Sequence, residues 1–205
     1  MAESQRADSG DALSTKIVAA LERLTQVIRV SQGETARRYG LSPLQLQVLA
    51  YVVSRPEGVR PAELARQFGI TPPTISDALA ALVAKKLVRL VRVPEDGRQR
   101  QIRLTAKGRR VAEQLGGWAK VVVQQVEKLD RFEQAQLLEM LLRLIGQLQQ
   151  AGLISVAHVC TSCAYFSANV YPDPTAPHHC NLLNQPLALH ELRVDCPDHV
   201  LADRR

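Results

Sequence analysis

The 205-residue sequence predicts a mainly α protein with one small β-hairpin and a loop-rich C-terminal segment. Three observations predict this class. Apolar residues recur at three- and four-residue steps over most of the first 151 residues, which is the period of a helix. One basic stretch alternates instead at the two-residue period of a strand. All four Cys and all five His fall between His158 and His199, so the C-terminal segment carries a chemistry of its own.

Composition and charge limit the classes of function. The chain is 46% hydrophobic and 22% charged, as a globular protein is, and only the polar residues 1–11 are expected to form a flexible arm. No apolar run approaches the roughly 18 residues that span a bilayer, and no signal pattern begins the chain, so we expect a cytoplasmic protein without a membrane partner. The net charge of +6 favours an anionic partner, most simply nucleic acid.

Start and stop signals divide the chain before the hairpin into four helices. Ser42 and Thr71 are each followed by Pro, the arrangement of an N-cap before a Pro at the first helical position. Gly40 and Gly69 follow the last periodic residues of their helices, where a C-terminal Gly is common. The third and fourth helices, joined by this tight turn, form a helix-turn-helix pattern. The predicted helices are 11–39, 43–53, 61–68 and 72–86.

The next stretch predicts a basic β-hairpin. "LVRLVRV" and "QIRLT" alternate apolar and basic residues, and Pro94 and Asp96-Gly97 supply turn signals between them. Between Lys85 and Arg110 there are ten Lys or Arg and two acids, so the local surplus of eight exceeds the net charge of the whole chain. A basic hairpin directly after a helix-turn-helix predicts binding to duplex DNA.

Two more helices are predicted after the hairpin. One begins at Thr105 and continues to about Leu129, with a bend at Gly116-Gly117. The other follows a capping box of Asp130 and Glu133 and covers residues 132–150. The first helix and these two carry more Val, Leu and Ile than so small a domain can cover. We therefore expect them to pack against a second copy of the chain.

The segment "DGRQRQIRLTAKG", residues 96–108, resembles the D-x-R-x-x-x-hydrophobic-x-L-T-x-x-G signature of the MarR family of winged helix-turn-helix transcriptional regulators. The order of six helices, with a wing between the fourth and the fifth, also resembles that family over residues 12–151. The resemblance implies a winged helix-turn-helix domain with long dimerisation helices. It further implies a homodimer, formed through the first and the last two helices, that binds a pseudo-palindromic operator in double-stranded DNA.

The resemblance also implies roles for individual residues. Arg98 would lie at the wing tip in the minor groove, Asp96 would orient the wing arginine, and the fourth helix would read bases. That helix offers no Lys or Arg before Lys85, so Asp77 either accepts a hydrogen bond from a cytosine amino group or only favours the positive end of its helix. The predicted DNA-binding residues are Thr71, Thr74, Ser76, Asp77, Lys85, Lys86, Arg92, Arg98 and Arg100.

Residues 152–205 form an addition to the family pattern and are predicted to bind a metal or a cluster. Cys160 and Cys163 form a Cys-x2-Cys pair, which places two thiolates at one turn, and Cys180 and Cys196 complete a set of four. In a reducing cytoplasm such thiols are expected to be metal ligands or redox groups rather than disulfides. His178, His179 and His199 are expected to be supporting or surface groups rather than ligands. His158 and His190 have no assigned role.

The identity of the metal stays open between three alternatives. The spacing C-x2-C-x16-C-x15-C is similar to that of high-potential iron-sulfur proteins, which favours a [4Fe-4S] cluster. The pairs His179-Cys180 and Cys196-x2-His199 are compatible with Zn²⁺ instead. Metal-free redox thiols are the third alternative. Because the segment is rich in Pro and aperiodic, metal-thiolate bonds are expected to supply most of its folding free energy.

These features together predict a dimeric DNA-binding transcriptional regulator whose DNA affinity is modulated by a C-terminal iron-sulfur or metal centre. One alternative is the same regulator with a purely structural zinc site and a small-molecule effector, and a more remote one is a thiol redox protein. No enzymatic activity is expected. The first 157 residues contain no Cys or His, no Gly-rich phosphate loop and no paired acids in a plausible cleft.

Overall fold

The computed structural model describes residues 4–93, 96–115 and 117–202, and the side chains of residues 12–92, 100–114 and 119–202. These residues form seven α-helices, a two-stranded hairpin and a three-stranded antiparallel sheet. The helices are α1 Ser4–Arg38, α2 Pro43–Val53, α3 Pro61–Phe68, α4 Pro72–Ala84, α5 Ala106–Leu115, α6 Gly117–Val126 and α7 Arg131–Gln150. The strands are β1 Val88–Val93, β2 Asp96–Leu104, β3 Phe166–Ser167, β4 His178–Cys180 and β5 Gln185–Leu187, with 3₁₀ turns at Cys160–Ser162 and Leu189–Glu191.

The chain divides into two compact units. The first unit contains residues up to Val59 together with residues 77–123, and the second contains residues 60–76 together with residues from 124 onward. Helix α7 and the cysteine segment therefore belong to the same unit. No helix in the described part of the chain combines the length and the apolar character that crossing a bilayer requires.

The capping signals place the helix ends where the sequence predicts them. The Ser42 side chain accepts a hydrogen bond from the Gln45 backbone N–H, and the Gln45 side chain accepts one from the Ser42 N–H, which completes a capping box at α2. Asp130 and Glu133 form the predicted capping box at α7. Gly69 follows α3 with φ +63°, in the left-handed region that Gly adopts at low cost. The bounds of α2 and α3 are confirmed, and those of α7 differ by one residue.

Three predicted boundaries differ from the structure. Helix α1 begins at Ser4, so it includes residues 4–11, which the sequence indicated as a flexible arm. Extending an existing helix costs far less than starting one, so polar residues without apolar periodicity can join it. Helix α4 ends at Ala84 rather than Lys86. The helix predicted from Thr105 to about Leu129 corresponds to α5 and α6, the second of which ends at Val126, and Gly116 of the predicted bend lies outside the described residues.

The core of the first unit is built from helix stripes and the base of the hairpin. Val59 adds a third line of backbone to the hairpin, because its N–H and C=O both pair with Ile102, over 3.1 and 2.8 Å. Sequence periodicity alone did not indicate this short bridge. The buried apolar side chains of the unit are Ala36, Leu41, Leu46, Val48, Leu49, Val52, Val59, Ala78, Leu79, Leu82, Leu87, Val88, Ile102 and Ala112.

The L-T-x-x-G part of the signature joins the hairpin to α5. The Thr105 hydroxyl donates to the Lys86 carbonyl over 2.7 Å and accepts from the Gly108 N–H over 2.9 Å. Helix α5 thereby approaches the chain so closely that a Cβ atom at Gly108 would lie 1.8 Å from the Leu87 carbonyl oxygen. Only Gly fits this approach between two backbones.

The cysteine segment shares a hydrophobic core with α7. Leu142 of α7 is buried with Val159, Leu187 and Leu192 of the segment. Leu138, Ile145, Ala157, Cys160, Phe166 and Cys180 pack around these four side chains. Metal-thiolate bonds were expected to supply most of the folding free energy of the segment, and the structure adds a second contribution, because α7 supplies an apolar face on which the segment buries side chains.

Candidate nucleic-acid interface and thiol cavity

The four predicted side chains of the reading helix are exposed around the start of α4. The Thr71 and Thr74 hydroxyls lie 2.8 Å apart, and the Thr71 hydroxyl accepts a long bond from the Thr74 N–H at 3.4 Å. The Ser76 hydroxyl donates to the Pro72 carbonyl over 3.0 Å. Asp77 is also exposed. The three hydroxyls thus already have local partners, and Asp77 offers the one charged group among these four side chains.

The hairpin holds like charges opposite each other. Its register places Arg92 across from Arg100 and Arg89 across from Arg103. Like charges directly opposite on two strands destabilise a hairpin. Within the part of the chain whose side chains the structure describes, no salt bridge with an acid offsets this repulsion. The exposed pair Arg92 and Arg100 is therefore a surface that a polyanion would stabilise.

The two lysines that follow α4 have different environments. The Lys85 ammonium is half-buried and donates a short hydrogen bond to the Gly40 carbonyl at the start of the α1–α2 connection. This contact differs from the predicted contact with DNA, because the ammonium holds a backbone carbonyl of its own chain. Lys86 is exposed and has φ +58°, a left-handed conformation that ends the helix. The contact of Lys86 with DNA stays a prediction.

The predicted wing-tip residues stay predictions. The backbones of Asp96 and Arg98 lie in β2, but their side chains, like Pro94 and Glu95 as a whole, lie outside the described residues. Whether Asp96 orients an arginine is therefore an expectation from the family signature alone.

Apolar side chains are exposed on the helices that the sequence assigned to a dimer interface. In the first unit these are Leu13, Ile17, Val18, Leu24, Val27 and Val30 of α1 and Val121 and Val123 of α6. In the second unit they are Phe132, Met140, Leu141 and Leu144 of α7. Patches of this kind usually mark an interaction surface. On α7 they lie beside the positions 138, 142 and 145 that the cysteine segment covers.

The four cysteines line one small cavity in the second unit. All four are free and half-buried. They converge from separate elements, because Cys160 begins the first 3₁₀ turn, Cys163 follows it, Cys180 ends β4 and Cys196 lies in the loop after the second turn. Tyr165, Phe166, Leu182, Leu187 and Asp198 complete the lining of the cavity, whose volume is about 30 Å³.

The thiols interact electrostatically. Burial raises the pKa of the Cys160 thiol, and charges on Cys196, Cys163 and Cys180 raise that pKa further. A hydrogen bond from the Arg193 backbone N–H acts in the opposite direction. Burial and the neighbouring sulfurs therefore both disfavour a thiolate at Cys160.

The imidazoles of the segment have partners outside this cavity. His158 Nδ1 lies 3.2 Å from an Asp195 carboxylate oxygen, His199 Nε2 lies 3.0 Å from the Ser162 hydroxyl, and His179 Nδ1 lies 2.8 Å from the Tyr171 hydroxyl. His190 lies at other surface cavities. Among the described side chains no imidazole lines the thiol cavity. Whether the cysteines are ligands stays a prediction.

His178 is the exception in its burial. Only 1% of its surface is exposed, and its Nδ1 accepts a hydrogen bond from the Asn169 N–H over 3.2 Å. Burial lowers the pKa of His178, although the Glu139 carboxylate, 3.5 Å from Nε2, partly opposes this effect. Its ring packs against Phe166 with centroids 4.9 Å apart. His178 is therefore a packed residue of the segment core.

The four thiols surround a common cavity. Across the described ranges, no three or more His, Cys, Asp or Glu side chains are grouped so that they could hold one metal ion. The metal centre and its identity therefore stay predictions.

Comparisons with known proteins agree with the fold. The sequence model of the MarR family matches residues 39–99. Among solved structures, the Staphylococcus aureus MepR–DNA complex is 20% identical and matches 64% of this chain and 97% of its own, with a TM-score of 0.56. A MarR-family transcriptional regulator from Rhodococcus sp. RHA1 is 22% identical, with 63% and 93% covered and a TM-score of 0.53. No curated protein matches the chain. At this identity the likeness shows a winged-helix fold.

Proposed function

We propose that this chain is a MarR-type transcriptional regulator that binds a pseudo-palindromic double-stranded DNA operator as a homodimer. The observation that carries the proposal is the repulsion between Arg92 and Arg100 on a hairpin that directly follows a helix-turn-helix. DNA phosphates would neutralise this pair. The match of residues 39–99 to the MarR family supports the proposal, as does the likeness to a regulator solved with DNA.

The two DNA-contacting elements have different tasks. The wing, with Arg92, Arg98 and Arg100, supplies attraction to the backbone and the contact in the minor groove. The start of α4 supplies hydroxyls and Asp77, which reads a cytosine amino group. Hydroxyls accept and donate with little selectivity, so Asp77 carries most of the sequence preference of this helix.

Dimerisation is the second part of the proposal. The exposed apolar side chains of α1, α6 and α7 are covered by a second copy of the chain. A twofold axis then presents two reading helices about one DNA turn, roughly 34 Å, apart. Exposed apolar side chains on three helices favour a dimer, because a monomer would leave them in contact with water.

The wing assignment is tested with the double variant Arg92→Ala/Arg100→Ala. We expect its affinity for operator DNA to fall roughly tenfold and the slope of log K against log salt to become shallower by about two, because two phosphate contacts are lost. Binding is measured by fluorescence anisotropy on fragments of the chain's own genome between low and moderate salt.

The matched control is Lys120→Ala/Lys128→Ala, which removes the same charge from exposed positions on and after α6. It should change affinity little and leave the slope unchanged. If both double variants lower the affinity and the salt slope equally, Arg92 and Arg100 contribute only through the net charge of the chain, and the wing assignment is wrong. Absence of binding to any fragment at low salt would overturn the proposed function.

Regulation by the C-terminal centre completes the proposal. The Cys160–Ser162 turn contacts α7, because the Thr161 hydroxyl donates to the Leu142 carbonyl over 2.6 Å. A Cβ atom at Gly146 would lie 3.1 Å from that hydroxyl, so turn and helix are in close contact. A change at Cys160 and Cys163 therefore reaches a helix of the proposed dimer interface. DNA affinity is expected to differ between protein with its centre bound and protein from which it has been removed.

The alternative keeps the DNA binding but makes the centre a structural Zn²⁺, with a small-molecule effector as the signal. In that case metal removal unfolds the segment without a graded effect on DNA affinity. A thiol redox protein remains the remote alternative, and turnover of a dithiol substrate by the full chain would favour it.

A further inference from the structure

Arg193 makes two hydrogen bonds to the sulfurs of the thiol cavity. Its backbone N–H donates to Cys160 Sγ over 3.2 Å, and its guanidinium Nη1 donates to Cys196 Sγ over 3.8 Å. In return the Cys160 N–H donates to the Arg193 carbonyl over 3.1 Å. The neighbouring Leu192 is buried in the core shared with α7. The backbone N–H of Arg193 is therefore held in place by the hydrogen bond between Cys160 and the Arg193 carbonyl and by the burial of Leu192.

This arrangement suits sulfurs that carry negative charge. A neutral thiol is a weak acceptor, whereas a thiolate is a strong one and attracts a guanidinium as well. Two sulfurs from sequence positions 36 residues apart share donors from a single residue. Such donors to ligand sulfurs are one of the factors that set the reduction potential of an iron-sulfur cluster.

Four thiols and no described imidazole line the cavity, a donor set that suits a [4Fe-4S] cluster and a structural Zn²⁺ alike. The spacing C-x2-C-x16-C-x15-C is what favours the cluster. The walls are largely Tyr165, Phe166, Leu182 and Leu187, which would shield a cluster from water on those sides. Hydrophobic shielding is a second factor that sets the potential.

We infer that Cys160, Cys163, Cys180 and Cys196 hold an iron-sulfur cluster of the [4Fe-4S] type, and that Arg193 stabilises its negative charge. The inference deepens the proposed function, since it rests on the metal centre proposed there and names both its chemistry and a positioning residue. When bound, the cluster supplies a one-electron redox couple. Arg193 favours the reduced, more negative state by placing its cation and its N–H next to two ligand sulfurs.

Asp198 provides a charge of the opposite sign at the same cavity. It lines the cavity together with the cysteines and is exposed, so its effect is weakened by water. The two residues form a matched pair for an experiment, because removing Arg193 and removing Asp198 should shift one quantity in opposite directions.

The first measurement establishes the cofactor in the full chain. Protein purified without oxygen is analysed for iron, acid-labile sulfide and zinc, and its visible absorption spectrum is recorded. We expect a brown protein with about four iron atoms and as many sulfides per chain. A colourless protein with about one zinc per chain would overturn the inference. A protein with about two irons per chain would overturn the assignment of a four-iron cluster.

The second measurement tests Arg193. In Arg193→Gln the reduction potential should become more negative, and iron should be lost to a chelator roughly tenfold faster. In Arg193→Lys both quantities should fall between those of wild type and Arg193→Gln, because the charge stays but the planar donor is lost. In Asp198→Asn the potential should become more positive. Unchanged potential and iron retention in Arg193→Gln would overturn the role of Arg193.

Loss of the cluster in Arg193→Gln also has a defined meaning. If Arg193→Lys restores the cluster, the positive charge stabilises it, as inferred; if not, the side chain acts through folding and the inferred role is wrong. None of these readouts involves DNA. If the protein contains an intact cluster but does not bind DNA, the proposed function is wrong and the cluster assignment stands. If wild-type protein without its cluster binds DNA normally, only the proposed regulation of DNA affinity by the cluster is wrong.

Discussion

The winged-helix part of the chain and its cysteine segment are stabilised in different ways. The first unit buries a continuous set of Leu, Val and Ile side chains from helices and hairpin. The segment contributes Val159, Leu187 and Leu192 to a core that Leu142 of α7 completes, and its strands are two or three residues long. The segment therefore buries few apolar side chains of its own, and we expect bonds to a bound centre to add to its stability.

The largest expected effect is removal of the thiol centre. In Cys160→Ser/Cys163→Ser the metal or cluster should be lost, and with it binding free energy on the order of 10 kcal/mol that stabilises the segment. Limited proteolysis should then cut residues 152–202 rapidly while α2 to α5 resist. Wild type stripped with a chelator is the control and should show the same pattern. A segment that stays resistant in both would mean that its core with α7 is sufficient.

Matched truncations of the two cores sharpen the comparison. Leu46 and Leu142 are each 1% exposed, so Leu46→Ala and Leu142→Ala should each lower the free energy of unfolding of their unit by about 2–5 kcal/mol. Only Leu142→Ala should also weaken retention of the centre, because Leu142 contacts the core around Cys160 and Cys180. Urea unfolding with and without the bound centre measures both effects. Equal sensitivity of both variants to chelation would contradict the separation of the units.

The last comparison concerns two Gly→Ala variants, for which we expect changes of opposite sign in the free energy of unfolding. Gly108→Ala should lower the free energy of unfolding by about 3 kcal/mol, because the new Cβ meets the Leu87 carbonyl, which cannot move without shifting the hairpin. Gly33→Ala is the control. Gly33 lies inside α1, and a Cβ atom there would make only an ordinary contact, 3.9 Å from Arg37 Nη1, so the substitution should raise the free energy of unfolding by up to about 1 kcal/mol. Thermal unfolding of both variants gives the comparison.

Local signals explain which parts of the fold were predictable. The bounds of α2, α3 and α7 follow from Ser42, Gly69 and Asp130, because capping and left-handed closure involve residues within one turn of each other. The bend predicted at Gly116-Gly117 stays a prediction, because Gly116 lies outside the described residues. The start of α1 was not predictable in the same way, since residues 4–11 contain no strong signal and the cost of continuing a helix is small.

The site shows the same limit. Sequence identified the four cysteines and the basic hairpin, because residue type and spacing are enough to recognise both. It did not indicate that the Lys85 ammonium donates a hydrogen bond to the Gly40 carbonyl, and the predicted contact of Lys85 with DNA stays a prediction. Arg193 was also missed. An arginine two positions before an acid in an aperiodic loop has no pattern that marks it as a donor to sulfur.

By itself, the sequence determined the starts of α2, α3 and α4, the charge of the wing and the inventory of thiols, since each depends on residues that are neighbours along the chain. Only the tertiary structure decided that Cys160, Cys163, Cys180 and Cys196 surround one cavity, that α7 completes the segment core, and that Gly108 admits no side chain. The physical reason is that these features depend on distances between residues far apart in the chain. Such distances arise from packing, which no local pattern encodes.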